Sequence, residues 1–194
     1  MKNIILIAIL MFTMSCKAQI YPLDTSPGDV PSGSYIKDIN NELNPYIGLW
    51  KANWNGKTVY LDFRKIKRKS TSLMSSFYYY SDRILGERKI INANGVVEID
   101  RITNFDNINA EFWGISKSLL SPEYETITFF PKNFCNKYAN LDVKFLNVQK
   151  TQMLMKFRFE PSLLKEDCQY ANLIKSGGSL PINWPKEDII FIKQ

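Results

Sequence analysis

The chain has 194 residues, a formal net charge of +6 at pH 7, three cysteines and no histidine. The lack of histidine excludes Ser-His-Asp and Cys-His catalysis and removes the usual ligand sets for zinc. We therefore expect neither a metal nor another cofactor, and we look for binding rather than catalysis.

A basic start, eleven uncharged residues from Ile4 to Met14 and a small residue at Ser15 open the chain. This order is typical of a secretory signal peptide. The apolar run is too short to span a bilayer as a helix, which takes about 20 residues. We predict a signal peptide over residues 1–15 and an exported protein, and export argues against nucleic acid as its partner.

Two cleavage sites follow the apolar run. Thr13-Met14-Ser15-Cys16 resembles the lipobox of bacterial lipoproteins, which are cut just before a cysteine that then carries the lipid. The resemblance implies an outer-membrane lipoprotein, facing the periplasm or the cell surface and attached to the membrane through Cys16. The alternative is cleavage before Gln19 by ordinary signal peptidase, which implies a soluble periplasmic or secreted protein.

Residues 20–34 hold three prolines, two glycines and three serines, a composition typical of an extended linker. We predict a lipid-anchored tether over residues 16–34 and a single domain over 35–194. Either cleavage takes Cys16 out of disulfide chemistry, so Cys135 and Cys168 remain as a pair. In an oxidising compartment such a pair usually forms a disulfide; two free buried cysteines are the alternative.

Short alternating runs separated by turn residues dominate the chain after residue 45, and this pattern predicts strands. Asn55-Gly56 and Asn94-Gly95 each separate two such runs and tolerate the positive φ of a hairpin turn. A third hairpin is expected around residues 149–151, and the segment 161–178 favours a helix. We predict an all-β domain of about eight to ten antiparallel strands, an up-and-down barrel or a sandwich, with at most one or two short helices.

Two pairs of carboxylates are candidates for acid–base chemistry. Glu98 and Asp100 share one face of a predicted strand, as do Glu123 and Glu125. A glycosidase needs two carboxylates across a cleft, one of them protonated by its surroundings, whereas adjacent acids on a solvated strand face are commoner. A carboxylate-dependent hydrolase is therefore only the second alternative function, and we predict no catalytic residue.

Two further stretches could form binding surfaces. "SFYYYSDR" (76–83) places Tyr78 and Tyr80 on one strand face, where exposed rings can stack on sugars or line a pocket; a central strand with hydroxyls in solvent is the simpler interpretation. "RKIKRK" (64–69) has five cations in six residues. It could rest on anionic headgroups, or be a solvated strand end that discourages edge pairing.

The residues "IGLW", which open the first strand of the predicted domain, resemble the Gly-x-Trp opening of lipocalins. That resemblance implies a calycin-like barrel plugged at its closed end by the Trp, and it gives Gly48 and Trp50 structural roles. The longer stretch "SGSYIKDINNELNPYIGLWKANWNGKTVYLDFRKIK" is similar to the front of a family of small exported proteins of unknown function from Bacteroidetes bacteria. This second resemblance implies an envelope location and supplies no known activity.

The leading functional prediction is non-catalytic binding of a small apolar or glycan ligand in or on the barrel. An enclosed pocket should then be lined by residues such as Trp54, Tyr79, Phe112 and Met155. The alternative is a module that docks another envelope protein, which should have a filled barrel and an exposed patch such as the face of Tyr78 and Tyr80. The sequence leaves the oligomeric state open.

Overall fold

A computed structural model of the chain describes residues 19–72, 76–118, 121–132, 135, 137–159, 168–178 and 180–194. The predictions for Cys16 and for the signal peptide lie outside the described residues, as do residues 161–167 of the segment that favours a helix. The described part of that segment, residues 168–178, contains a short helix at Ala171–Lys175.

Eleven strands and one short helix occur in the described part of the chain. The strands are β1 (Ile20–Pro22), β2 (Tyr35–Lys37), β3 (Gly48–Trp54), β4 (Lys57–Thr71), β5 (Tyr78–Ile91), β6 (Val97–Asp100), β7 (Phe112–Lys117), β8 (Glu125–Phe129), β9 (Ala139–Phe145), β10 (Gln152–Phe159) and β11 (Ile189–Lys193), with α1 at Ala171–Lys175.

The chain divides into two compact units. One contains residues 19–40 and 67–82 of the described chain, and the other contains residues 41–66 and 83–194. We call them the small unit and the barrel unit. The sequence predicts a single domain over 35–194. The single domain stays a prediction. β4 and β5, with 15 and 14 residues, are more than twice the usual strand length, and each contributes residues to both units.

Eight antiparallel strands close a barrel in the barrel unit. The order around the ring is β3-β4-β5-β7-β8-β9-β10-β11, and β11 returns to β3. This is the order of the chain with β6 set aside, since β6 pairs with β5 outside the ring. The prediction of an all-β, up-and-down architecture is confirmed, and the alternative between barrel and sandwich is settled as a barrel.

The predicted Asn-Gly turns are confirmed. Asn55 and Gly56 adopt φ values of 48° and 75°, and they join β3 to β4 directly. Gly95, with φ of 79°, lies in the connection between β5 and β6. The third predicted hairpin joins β9 to β10, which pair along seven residues of each strand. Local turn chemistry therefore sets the register of these strand pairs.

Large side chains fill the interior of the barrel, because alternate residues of each strand point inward. Phe112 stacks on Phe129 with ring centroids 4.6 Å apart, and Trp184 packs against these rings at 5.2 and 5.3 Å. Each such side chain stabilises the fold by roughly 1.5–3 kcal/mol through burial. Other fully buried side chains are Trp50, Leu61, Phe63, Leu141, Met153, Met155 and Phe191.

Gly86 in β5 gives the ring of Phe63 its place in this interior. A Cβ atom at position 86 would lie 2.4 Å from the Phe63 ring and 3.1 Å from the Cβ of Phe112. The position therefore requires glycine for packing, and not for an unusual backbone angle.

The small unit folds the stretch whose composition predicts an extended tether. β1 runs parallel to β2, and β2 runs parallel to β5. A 3-10 turn at Pro27–Asp29 is capped by Ser26, and Val30 after it is buried. Proline, glycine and serine serve compact turns as well as flexible linkers, so the same composition suits the turns of residues 20–34.

A disulfide joins Cys135 to Cys168, whose Cα atoms are 5.6 Å apart, so the predicted pairing is present. Cys135 lies between β8 and β9, and Cys168 lies just before α1. Within the described residues, no helix has the length and apolar character needed to cross a membrane.

Candidate binding surfaces

The four residues predicted to face a ligand lie in different surroundings. Phe112 and Met155 are fully buried inside the barrel, where Phe112 packs against neighbouring rings. Trp54 is half-buried at the end of β3, with the Nζ of Lys57 5.5 Å from its ring centroid. Tyr79 is half-buried in the small unit. Phe112 and Met155 therefore serve the packed core.

The Gly-x-Trp opening lies where β3 and β11 close the barrel. Gly48 has a φ of 118°, and the fully buried Trp50 donates from Nε1 to the carbonyl oxygen of Tyr46 at 2.7 Å. Lys193 lies 5.3 Å over the Trp50 ring and donates to the carbonyl oxygen of Pro45 at 2.9 Å. These contacts fix the start of β3 against the last strand.

Four charged side chains of the barrel unit form a network that no sequence pattern revealed. Arg88 donates to Glu111 at 2.8 and 3.3 Å, and Arg101 donates to Glu87 at 2.8 and 3.1 Å. Glu87 and Glu111 are 0% and 1% exposed. Burial raises the pKa of Glu87, and the hydrogen bond from Arg101 opposes that rise.

Arg88 also stacks on aromatic rings. Its guanidinium lies 5.0 Å from the centroid of Phe129 and 5.7 Å from that of Trp184, and it donates to the carbonyl oxygen of Asn183. The charge is therefore paired and hydrogen-bonded inside the protein, as a buried charge must be. In the sequence, Glu87 and Arg88 lie between the apolar residues Leu85 and Ile90, but Lys89 beside them makes the stretch look like an ordinary charged cluster.

The first carboxylate pair is held by lysines. Glu98 accepts from Lys57 at 2.6 Å, and Asp100 accepts from Lys89 at 2.8 Å. The bond from Lys57 lowers the pKa of Glu98, and the bond from Lys89 lowers the pKa of Asp100 to about 2. A general acid needs a raised pKa, so this pair is suited to ion pairing.

The second carboxylate pair is divided between unrelated partners. Glu123 is exposed and lies 3.5 Å from the Nζ of Lys144. Glu125 accepts a hydrogen bond from the hydroxyl of Tyr46 at 2.9 Å. Burial, followed by the charge of Glu125, raises the pKa of Tyr46, so this hydroxyl remains a donor. Glu125 thereby ties the loop before β3 to β8.

An open groove of about 620 Å³ lies on the barrel unit between β3 and β11. These strands pair at Lys51–Ile192 and Trp50–Lys193, where their register ends although β3 continues to Trp54. Beyond that point no further pairing joins the described residues of these two strands. The groove is lined by Lys51, Ala52, Asn53, Asp188, Ile189, Ile190, Ile192 and Gln194.

The lining of the groove combines apolar side chains with both signs of charge. Ile190 and Ile192 are 48% and 42% exposed, although isoleucine is usually buried. Lys51 and Asp188 also line the groove, and Asp188 lies 3.2 Å from Lys156. Strand edges whose pairing has ended can accept a further extended segment.

Lysines stack on tyrosine rings across one face of the small unit. The Nζ of Lys67 lies 4.1 Å from the ring centroid of Tyr35 and 4.7 Å from that of Tyr80. The Nζ of Lys69 lies 4.2 Å from the centroid of Tyr78. We call these five residues the Lys–Tyr face. Both lysines are exposed.

Asp82, the carboxylate that binds Tyr35 of this face, is hydrogen-bonded within the small unit. The hydroxyl of Tyr35 donates to Asp82 at 2.5 Å, and the backbone nitrogen of Asp38 donates to Asp82 at 3.0 Å. Burial, and then the bond to Asp82, raises the pKa of Tyr35 to about 12. Among the described residues, no carboxylate forms an ion pair with Lys67 or Lys69.

The fold and these surfaces define an antiparallel up-and-down β-barrel with a filled interior and an added small β unit. The chain belongs to the family described as "Family of unknown function (DUF6705)", whose sequence profile matches residues 1–194. No curated protein and no solved structure showed significant similarity to the chain.

Proposed function

We propose that the protein is a non-catalytic docking module of the cell envelope that receives an extended segment of another envelope protein in the β3–β11 groove. The observation that carries this proposal is the filled interior of the barrel. A binding function must then use the outer surface, and the groove is a concave part of that surface with strand edges beside it.

The interior gives no support to a ligand held within the barrel. Trp184 packs at 5.2 Å from Phe112 and at 6.1 Å from Phe191, and all three residues are at most 1% exposed. Small-molecule sites are concave and lined by accessible apolar groups. An apolar or glycan ligand held in the barrel therefore has less support than a partner bound on the outer surface.

The groove has the chemistry that an extended polypeptide needs. A strand added at a sheet edge gains affinity from backbone hydrogen bonds and specificity from alternate side chains. Ile190 and Ile192 are two residues apart on β11, so they offer apolar contacts to every second residue of the segment. Lys51 and Asp188 would fix its direction through opposite charges.

The carboxylate pairs support a protein without catalysis. Glu98 and Asp100 each bind a lysine, and both pKa values are lowered rather than spread apart. An acid–base pair needs environments that push the two values in opposite directions. The hydrolase is therefore the least supported of the three functions.

The proposed location is the cell envelope, with a lipid on Cys16 after removal of residues 1–15. The disulfide between Cys135 and Cys168 supports an oxidising compartment. A soluble exported protein that begins at Gln19 is the alternative. An intact mass of the protein extracted from its host distinguishes these two N-termini, because only the first carries acyl chains.

A peptide-selection experiment tests the groove. Extended peptides are selected on the full chain from a displayed library, and their Kd values are measured by fluorescence anisotropy. The double variant Ile190→Ser/Ile192→Ser should weaken binding about tenfold or more, because it removes apolar contact area. Ile108→Ser is the matched control, since Ile108 is exposed and does not line the groove.

A charge test gives the direction of the segment. Lys51→Glu should weaken peptides with an acidic residue at one end, and Asp188→Lys should weaken those with a basic residue at the other end. Selected peptides that bind the isoleucine variants as well as wild type would contradict the groove. A stoichiometric apolar molecule in the native mass spectrum would instead favour the ligand-binding function.

A further inference from the structure

The Lys–Tyr face carries two positive charges in fixed positions. Lys67 and Lys69 are two residues apart on β4, which places their Cα atoms about 6.5–7 Å apart. The rings of Tyr35, Tyr78 and Tyr80 hold the two ammonium groups. A cation–π contact orients a charge and leaves it unneutralised. Because the groups are preorganised, less conformational entropy is lost when an anion binds.

The carboxylate that binds Tyr35 of this face has hydrogen-bond partners other than the two lysines. Asp82 accepts from the hydroxyl of Tyr35 and from the backbone of Asp38, and only 8% of it is exposed. Its oxygens therefore accept hydrogen bonds from neutral groups of the small unit, and Asp82 forms no ion pair with Lys67 or Lys69 among the described residues. Tyr35 remains a neutral ring under Lys67, because its hydroxyl keeps the proton that it donates to Asp82.

The N-terminal chain enters the small unit beside the same face. The backbone nitrogen of Tyr35 donates to the carbonyl oxygen of Gln19 at 2.9 Å, and Ile20 pairs with Tyr35. Cys16 is three residues before Gln19 in the chain, so the two Cα atoms can be at most about 11 Å apart. A lipid on Cys16 thus brings the membrane within reach of the strand that supports Lys67.

We propose that the Lys–Tyr face rests on the anionic headgroups of the membrane in which the Cys16 lipid inserts. The inference goes beyond peptide docking and rests only on the anchoring part of the proposed function. The lipid inserts into the bilayer, and basic residues beside it add an electrostatic attraction to anionic headgroups. Each lysine near an anionic surface strengthens binding roughly fivefold.

Lysine acetylation on vesicles tests where the face lies. The full chain extracted from its host is mixed with vesicles of neutral phosphatidylcholine, or with vesicles that also contain about 30 mol % anionic phosphatidylglycerol. Mass spectrometry then gives the acetylation rate of each lysine. We expect Lys67 and Lys69 to react several-fold more slowly on the anionic vesicles. Lys175, exposed in α1, should react equally on both.

Variants test whether the lysines contribute to affinity. Lys67→Gln/Lys69→Gln should reduce partitioning onto anionic vesicles by roughly 25-fold relative to neutral ones, and Lys175→Gln should leave the ratio unchanged. Raising the salt from about 0.05 to about 0.5 M should remove the preference of the wild type for anionic vesicles. The added ions screen the attraction between the lysines and the headgroups.

Three outcomes would overturn the inference. Equal acetylation rates of Lys67 and Lys69 on both kinds of vesicle would show that the Lys–Tyr face does not contact the anionic headgroups. An unchanged partition ratio in the double lysine variant would do the same. Equal protection by soluble polygalacturonate would assign the face to an acidic glycan. A chain that begins at Gln19 and ignores neutral vesicles would refute the lipid anchor alone, since the acetylation pattern still reports on the face.

Discussion

Two regions of the molecule stack a cation on aromatic rings, and they leave that cation in opposite states. Arg88 lies on Phe129 and Trp184, is 4% exposed and is bound to Glu111. Lys67 lies on Tyr35 and Tyr80 and is exposed. The same interaction is part of the buried core in the barrel unit, and in the small unit it orients an exposed charge.

The difference shows what rings do for a charge. They fix its position in both regions, but only the carboxylate of Glu111 neutralises it. A buried cation without that carboxylate would be strongly destabilising, whereas an exposed cation remains solvated until a partner replaces the water. Stability should therefore depend on the first arrangement, and binding on the second.

The largest expected effect comes from breaking the buried arrangement. Arg88→Met should lower the free energy of unfolding by about 3–5 kcal/mol, because it leaves Glu111 buried without its partner. Urea unfolding with the disulfide intact measures the change. The double variant Arg88→Met/Glu111→Leu should recover much of the loss, since it removes both charges together. A double variant no more stable than the single one would show that packing, and not charge, dominates.

Removing the disulfide should have the next largest effect. Cys135→Ala/Cys168→Ala should destabilise the protein by roughly 3–4 kcal/mol, because the bond constrains a long loop in the unfolded chain. Unfolding of the variant should match that of the reduced wild type. If the double variant were as stable as the oxidised wild type while reduction still destabilised the wild type, the effect of reduction would not come from this disulfide.

Gly86→Ala tests how tightly the barrel is packed. The added methyl group would meet the ring of Phe63, and such overpacking costs about 1–3 kcal/mol. Gly28→Ala is the control, because a Cβ there would meet only the Ser26 Oγ at 3.8 Å. Thermal unfolding of both variants gives the comparison. Equal stability would mean that the Phe63 ring or the strands around it shift to accommodate the methyl group.

The exposed arrangement should matter little for folding. Lys67→Met/Lys69→Met should change the free energy of unfolding by less than about 1 kcal/mol, since exposed cation–π contacts are weak and the lost charges had solvent around them. Urea unfolding of this double variant and of Arg88→Met under the same conditions compares the two arrangements. A loss as large as that of the arginine variant would make the Lys–Tyr face a structural element.

The smallest effect concerns Asp100, whose pKa is lowered from 3.8 to about 2 in the folded protein. A carboxyl group with a lowered folded pKa stabilises the protein above its unfolded pKa, and this contribution disappears as the pH falls through the folded value. Asp100→Asn should cost about 0.5 kcal/mol at neutral pH. The difference from wild type should shrink between pH 4 and pH 2, and a constant difference would contradict the assignment.

The strand pattern could be predicted where a residue's role was local. Asn55-Gly56 specifies a hairpin turn from two neighbouring residues. Trp50 and Ala52, two positions apart, specify the inward face of the strand before it. The network around Arg88 could not be predicted, because Glu111 lies 23 residues away in sequence and pairs only after β5 meets β7. Physical burial, and not a motif, defines that pair.

The surfaces were partly predictable for the same reason. The cations of 64–69 and the tyrosines of 76–83 could both be named as candidate surfaces, although a solvated strand end and a central strand were the simpler interpretations. Their stacking depends on the pairing of β4 with β5 and on Tyr35, which is distant in sequence from both stretches. The groove was not visible at all, since it arises where the pairing of β3 with β11 ends.

The length of β4 has a consequence for sequence change within it. Val59, Leu61 and Phe63 are buried in the barrel unit, and Lys67 and Lys69 carry the surface charges of the small unit, all at odd positions of one strand. Because a strand repeats every two residues, losing one residue at positions 64–66 would reverse the side on which both lysines emerge, while the barrel residues keep theirs. Losing two would preserve both. Natural length variation in this stretch should therefore favour even numbers.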